Sequence, residues 1–190
     1  MPEELTDAQQ REFLGLARDA VRRLVENRER PAPSARDPQL KAKRGVFVTL
    51  KVGGRLRGCI GHPLPVKPLD EAVVEVAEAA ASEDFRFEPL RPDELDRLRI
   101  EISVLSLPRR LKDFRSLEIG RHGIIVAQGT RKGLLLPQVP VEYGWDRETF
   151  LRHGCLKAGL DEDAWKTGAT VDVFTAQVFS EEEKPERRPI

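Results

Sequence analysis

Two glycines, Gly53 and Gly54, separate two short runs that have the composition of β-strands. Residues 45–52 are rich in β-branched and apolar side chains, and residues 55–61 mix apolar, charged and small ones. Glycine adopts the positive φ angles that a two-residue hairpin turn requires, so this pattern predicts an antiparallel hairpin over residues 45–61. The hairpin favours a fold built on antiparallel sheets.

Helical patterns accompany this hairpin. Thr6 and Gln9 form a capping-box pattern at the start of residues 7–29, where apolar side chains recur at helical spacing. Further helices are predicted over residues 69–82 and 147–158, and further strands over residues 99–107, 123–127, 133–137 and 170–179. Helices and hairpins follow each other without regular alternation, so we predict an α+β fold in which an antiparallel sheet is flanked by helices.

Length and composition exclude several classes of protein. The 190 residues suffice for one domain, ordered over roughly residues 8–180, and the charged segment 181–190 is predicted to be mobile. Lys+Arg and Asp+Glu both total 32, and this balance favours neither nucleic acid nor a membrane as partner. The first residues lack the features of a signal peptide, and two cysteines are too few for a disulfide framework. We therefore expect a cytoplasmic protein.

The second strand of the hairpin carries the candidate site. A period of two places alternate residues toward the core: Leu56, Gly58 and Ile60. Arg57 and Cys59 then share the other side of the strand, and Gly58 and Gly61 leave room for a ligand to approach. The sequence thus predicts a thiol and a guanidinium beside a substrate-binding surface.

Cys59 has two interpretations. A cysteine in a strand is usually a packing residue, as we expect of Cys155 on the apolar stripe of its helix. Alternatively, Arg57 lowers the pKa of Cys59 from about 8.5 toward neutrality and so favours the nucleophilic thiolate. Arg57 itself could lie in solvent, pair with Glu101, or bind a carboxylate or phosphate with its planar fork.

Five further residues are candidates for the site or for a structural role. Phe85 and Phe87 are predicted to pack in the core, which directs Arg86 elsewhere as a candidate substrate-binding cation. His122, a lone histidine in a turn, is either solvated or a general base, because its reference pKa lies near neutrality. Gln138 either contacts substrate or ties down its loop.

No metal site and no cofactor are predicted. Cys59 and His62, together with His153 and Cys155, could formally supply four zinc ligands, but neither half has the common paired-cysteine spacing. The phosphate-binding, dinucleotide-binding and serine-hydrolase glycine motifs are all missing from the sequence.

Six segments in order along the chain together resemble the AMMECR family. They are LRGCIG (56–61), DFRF (84–87), EISVL (101–105), GRHG (120–123), LPQV (136–139) and CLKAGL (155–160). The resemblance spans residues 8–180 and implies an α+β fold whose larger and smaller lobes flank a cleft beside residues 56–61. It further implies likeness to the A component of the AmmeMemoRadiSam system, whose other parts, a Memo-like protein and a radical-SAM protein, are the expected partners.

Two functions remain open at this point. The first is an enzyme that acts on a small anionic substrate, with Cys59 as nucleophile and His122 as base. Its substrate-binding residues would be Arg57, Gly58, Gly61, Arg86 and Gln138. The second is a non-catalytic binding or adaptor module, in which the same surface holds a partner protein.

Overall fold

The chain divides into two compact units. The computed structural model describes residues 4–29 and 38–181. The first unit contains Met1–Val104 and Gln177–Ile190, and the second contains Leu105–Ala176. Each unit has its own four-stranded sheet and its own apolar core.

Five α-helices, three short 3₁₀ helices and eight strands make up the regular structure of the described residues. The helices are α1 (Asp7–Val25), α2 (Leu69–Ser82), α3 (Val139–Glu142), α4 (Arg147–Lys157) and α5 (Ala164–Thr167). The strands are β1 (Val46–Val52), β2 (Arg55–His62), β3 (Leu98–Leu105), β4 (Arg109–Arg110), β5 (Gly123–Gln128), β6 (Arg131–Leu135), β7 (Thr170–Phe174) and β8 (Ala176–Ser180). Within these residues, no helix combines the length and the apolar character that crossing a membrane would require.

The sheet of the first unit has the strand order β2-β1-β3-β8, and α1 and α2 pack against one side of it. We call that side the core face. Alternate residues of β1 and β3 are fully buried there: Val46, Val48, Leu50, Leu98, Ile100 and Ile102. Strict alternation of apolar residues along two neighbouring strands therefore builds this core.

The sheet of the second unit has the strand order β4-β7-β5-β6, and α4 packs on it. Gly154 permits a close approach of this helix, because a Cβ atom there would lie 2.6 Å from Cδ1 of Ile124. Phe150, Leu151 and Cys155 project from α4 into the same core and are fully buried. The predicted core position of Cys155 agrees with the structure.

Local signals set most helix boundaries. The predicted capping box is present, with the Gln9 backbone N–H donating to the Thr6 hydroxyl and the Gln9 side chain accepting from the Thr6 backbone. The first helix ends at Val25, earlier than predicted, because Asn27 adopts a φ of 54° that no right-handed helix can continue. Helix α2 has the predicted bounds.

The predicted final strand over residues 170–179 is in fact two strands. The chain leaves the second sheet after β7 and joins the first as β8. Between them, the Thr175 N–H donates to the Ser106 hydroxyl and its carbonyl accepts from the Ser106 N–H, both at 2.9 Å. The period-two pattern runs through both strands, so it does not indicate that the chain changes from one sheet to the other.

The predicted fold class is confirmed, since both sheets are antiparallel and helices accompany each of them. The cleft between lobes that the resemblance implies stays a prediction. Of the segment 181–190, predicted to be mobile, all but Glu181 lies outside the described residues.

Candidate functional site

The side of the first sheet opposite the core face carries Cys59. We call it the polar face, and its residues lie in three rows across β2, β1 and β3: Leu56–Lys51–Arg99, Cys59–Thr49–Glu101 and Gly61–Phe47–Ser103. Apart from Leu56, which is exposed, all of these residues are half-buried. A thiol, a hydroxyl and a carboxylate thus occupy successive positions of one row.

Cys59 is held at three atoms. Its Sγ accepts a hydrogen bond from the Thr49 hydroxyl at 3.3 Å. Its backbone N–H donates to the Asp84 carboxylate at 2.8 Å, and its carbonyl receives a long hydrogen bond of 3.5 Å from the Arg86 guanidinium. Because β2 is an outer strand of the sheet, Asp84 and Arg86 satisfy the backbone groups that a further strand would otherwise pair.

Asp84 and Arg86 form an ion pair beside this strand, with Oδ2 and Nη2 2.7 Å apart. Asp84 is 4% exposed, and the Arg86 guanidinium beside it holds the pKa of its carboxyl well below the usual range, even though burial opposes this. The pKa of Arg86 is raised, mainly by Asp84 and in part by Cys59. Arg86 is therefore the guanidinium that contacts Cys59, through the backbone carbonyl of that residue.

A β-bulge changes the predicted alternation of β2. Leu50 pairs with Gly58 but Lys51 pairs with Leu56, so Arg57 is the extra residue. Gly58 faces the core as predicted. Leu56 does not, because the bulge places it opposite Lys51, where it is 44% exposed.

Arg57 neither lies free in solvent nor pairs with Glu101, two of the environments predicted for it, and its predicted influence on the Cys59 thiol stays a prediction. The Arg57 guanidinium makes two hydrogen bonds to the Glu94 carboxylate, at 2.7 and 3.0 Å, and two more to the carbonyls of Glu88 and Pro89. Arg57 is also the main reason that the pKa of Glu94 is lowered. All of these partners belong to the protein, so Arg57 fastens the segment after α2 to β2 and its fork is occupied.

The two glycines of the motif face protein rather than open space. A Cβ atom on Gly58 would lie 2.0 Å from the backbone carbonyl oxygen of Ala80 in α2. A Cβ atom on Gly61 would lie 2.2 Å from the ring of Phe47. Helix α2 and the Phe47 ring thus fill the room that we expected for a ligand at these positions.

The segment after α2 contains the most exposed aromatic side chain. Phe85 is 96% exposed, so its predicted place in the core is wrong, and Phe87 is only half-buried. The Phe87 N–H donates to the Asp84 carbonyl at 2.9 Å and closes a turn. With Asp84 and Arg86 both bound to β2, this turn points Phe85 outward.

His122 lies in the second unit and is 3% exposed, so it is not solvated. Its Nδ1 accepts a hydrogen bond from the Glu118 N–H at 3.0 Å, which assigns the ring proton to Nε2. Nε2 is buried and has no partner among the described residues. Burial lowers the pKa of His122, while the Glu118 carboxylate opposes this. The proposed role of this residue as a base stays a prediction.

The other candidate residues of the second unit are dispersed. Gln138 is exposed, and its backbone carbonyl accepts from Val141 and Glu142 at the start of α3. His153 stacks on Trp145 with ring centroids 3.8 Å apart. Burial raises the pKa of the Cys155 thiol. Over residues 4–29 and 38–181, no three histidine, cysteine or acidic side chains are grouped so as to hold a metal ion.

Comparison with known proteins identifies the family. The AMMECR1 family model matches residues 14–179. The chain belongs to the AMMECR1 family. It is 50% identical to Protein MK0488 of Methanopyrus kandleri over 96% of this chain and 93% of that protein, and 46% identical to a protein of Aquifex aeolicus over 91% and 93%. It is also similar to the crystal structure of Uncharacterized Protein PH0010 from Pyrococcus horikoshii, with a TM-score of 0.81, 41% identity and 94% of each chain covered.

Sequence reasoning missed Thr49 and Asp84 as partners of Cys59 in this AMMECR1-family chain. Asp84 opens the DFRF segment, so the motif itself was a signal, although nothing local shows that its carboxylate reaches β2. For Thr49, the signal was a disagreement between two predictions of where Cys59 lies. Period-two alternation from Leu56 places Cys59 away from the core, but the register set by the turn does not. In a hairpin with only Gly53 and Gly54 in its turn and no bulge, Cys59 would pair with Val48 and so face the core.

Proposed function

We propose that this AMMECR1-family chain is a cytosolic enzyme in which the Cys59 thiolate attacks an electrophilic carbon of a small anionic substrate. An S–C bond forms, the bond from that carbon to its leaving group breaks, and the leaving group departs with the electron pair. The observation that carries the proposal is the hydrogen bond of 3.3 Å that the Thr49 hydroxyl donates to Sγ on the half-buried polar face. A donor to sulfur favours the thiolate, which is the nucleophilic form. The Arg86 guanidinium lies at the same residue, because it donates to the Cys59 carbonyl. Two free cysteines fit the reducing cytosol.

The backbone of Cys59 supports this role by its fixed position. Asp84 and Arg86 hold the N–H and the carbonyl of this one residue. Because both backbone groups of Cys59 are held, the position of its side chain is already fixed when a substrate binds, which favours reaction.

Alkylation by iodoacetamide tests the thiol directly. Peptide mapping by mass spectrometry reports Cys59 and Cys155 separately in the unaltered protein. We expect Cys59 at pH 7 to react several-fold faster than the thiol of a peptide of residues 55–61, which has the same neighbours in sequence but lacks Thr49 and Arg86. Buried Cys155 should react only on unfolding. Reaction of Cys59 no faster than the peptide would make it a packing residue and overturn the proposal.

A matched pair of variants isolates the hydroxyl. Thr49→Val removes the donor to Sγ and keeps a β-branched side chain in β1, whereas Thr49→Ser keeps the donor. We expect the valine variant to lose most of the rate advantage over the peptide and the serine variant to retain it. Equal rates in both variants would show that the hydrogen bond does not activate the thiol.

A second candidate is a binding module, which the exposure of Phe85 favours. A fully exposed aromatic side chain on a secured turn has the character of an interface anchor, since such residues supply much of the binding energy at protein interfaces. The resemblance to the AmmeMemoRadiSam A component suggests a Memo-like or a radical-SAM protein as the partner.

Calorimetric titration of a purified Memo-like protein into this chain tests the second candidate. We expect Phe85→Ser to weaken binding by about tenfold or more and Phe85→Tyr to preserve it. The substitutions leave the fold unchanged because the ring makes no core contact. Equal affinity for the serine variant and the unaltered chain would remove Phe85 as the anchor.

A further inference from the structure

Two cations lie directly opposite each other on the polar face. Lys51 of β1 pairs in register with Arg99 of β3. Both face away from the core, because their neighbours Leu50 and Ile100 are fully buried on the core face. Like charges directly opposite each other destabilise a sheet. An anion placed between them would remove this repulsion.

Only one of the two cations has a carboxylate partner. Lys51 Nζ lies 2.9 Å from the Glu101 carboxylate. Arg99 instead donates from Nη1 to the carbonyl of Leu98 at 2.8 Å. Among the residues that the structure describes, no carboxylate lies within ion-pair distance of Arg99, although its side chain is half-buried. The charge of Arg99 is therefore partly removed from water, and no carboxylate among the described residues neutralises it.

Arg99 differs in this respect from the two arginines that the sequence suggested as anion holders. Arg57 is bound to Glu94, and Arg86 is bound to Asp84. The planar fork of an arginine suits carboxylates and phosphates, and a lysine adds a point charge. Arg99 therefore provides the available fork on this face, and Lys51, which is paired with Glu101, adds a point charge beside it.

The anion position lies within reach of the thiol. Lys51 and Thr49 are two residues apart on β1, which corresponds to about 7 Å along a strand. Thr49 contacts Sγ of Cys59. We propose that Lys51 and Arg99 form an anion subsite that holds a carboxylate or phosphate of the substrate, in the row of the polar face next to that of Cys59. This inference rests on the proposed role of Cys59.

The anionic reagent iodoacetate tests the subsite when compared with neutral iodoacetamide. We expect the ratio of the two alkylation rates at Cys59 to exceed that of the 55–61 peptide by about three- to tenfold at low salt, because a nearby positive field attracts the anion. Arg99→Gln should lower this ratio to that of the peptide, and the ratio is insensitive to a change in the thiolate fraction because both reagents react with the thiolate. Inorganic phosphate should slow iodoacetate in the unaltered chain more than in Arg99→Gln.

Two control variants complete the test. Arg99→Lys keeps the charge and should keep most of the ratio, while Arg55→Gln removes an exposed arginine at the hairpin turn and should not change it. A ratio equal to that of the peptide, or unaffected by Arg99→Gln, would overturn the subsite even if Cys59 reacts rapidly with iodoacetamide. Slow reaction with iodoacetamide together with a ratio that depends on Arg99 would overturn only the nucleophilic role of Cys59.

Discussion

The core face and the polar face of the first sheet are made by the same strands, but they carry different kinds of side chain. On the core face, Ile102 and its neighbours are fully buried apolar side chains that fill space against two helices. On the polar face, one residue further along the strand, half-buried side chains include like charges in register and a hydroxyl directed at a thiol. Stability therefore depends mainly on the core face, and chemistry should be sought on the polar face.

The largest expected difference between the two faces is in how much free energy of unfolding is lost when a side chain is truncated. Ile102→Ala should lower the free energy of unfolding by about 2–5 kcal/mol, because it leaves a cavity in a core that cannot fully collapse. Ser103→Ala, on the adjacent residue of the polar face, should change it by about 0.5 kcal/mol or less. Urea denaturation measures both. Similar losses would show that the polar face is also a packed interior.

Gly58 allows a smaller test at the boundary between β2 and α2. Gly58→Ala should cost about 1–3 kcal/mol, since the added Cβ meets backbone that cannot move aside easily. Gly15→Ala is the matched control: this exposed glycine of α1 has no atom within 4 Å of the new Cβ, so the change should stabilise by about 1 kcal/mol. A neutral Gly58→Ala would mean that α2 can shift away from the sheet.

At the edge of the polar face, the expected effect depends on pH. The pKa of Asp84 is lowered in the folded chain, so its contribution to stability is complete above its unfolded pKa of about 3.9 and is lost as the pH falls toward the folded pKa. In Asp84→Asn, the free energy of unfolding should therefore fall less steeply below pH 4. The difference in slope should be up to about 1.4 kcal/mol per pH unit.

Asp93→Asn provides the comparison for this pH effect. Asp93 pairs with Arg91 at the surface, where both side chains are exposed. Exposed pairs contribute little, so the acid limb of the stability curve should change less than in Asp84→Asn. Urea denaturation between pH 5 and pH 2 measures both variants. Equal slopes for the two would show that the Asp84–Arg86 pair does not stabilise the edge of β2.

Much of the architecture follows from local patterns. Helix α2, the capping box of α1 and the hairpin turn at Gly53 and Gly54 form as predicted, because each depends on residues only a few positions apart. The apolar alternation of β1 and β3 likewise indicates the core face. Candidate residues on that hairpin could be named for the same reason.

The partners of those candidates depend on contacts between distant parts of the chain. Asp84 reaches Cys59 across 25 positions, and Arg57 reaches Glu94 across 37. No local pattern shows which carboxylate will neutralise which arginine. The exposure of Phe85 follows from the same contacts, because the bonds from Asp84 and Arg86 to β2 direct the turn outward.

The helices, the hairpin and the alternation that separates the two faces follow from local sequence, because they depend on propensity and period within short windows. Which polar groups meet depends on the tertiary structure. Helix α2 approaches so closely that only a glycine fits opposite Ala80. The bulge at Arg57 brings Gly58 to that position, and the same shift of register sets Cys59 beside Thr49 instead of Val48.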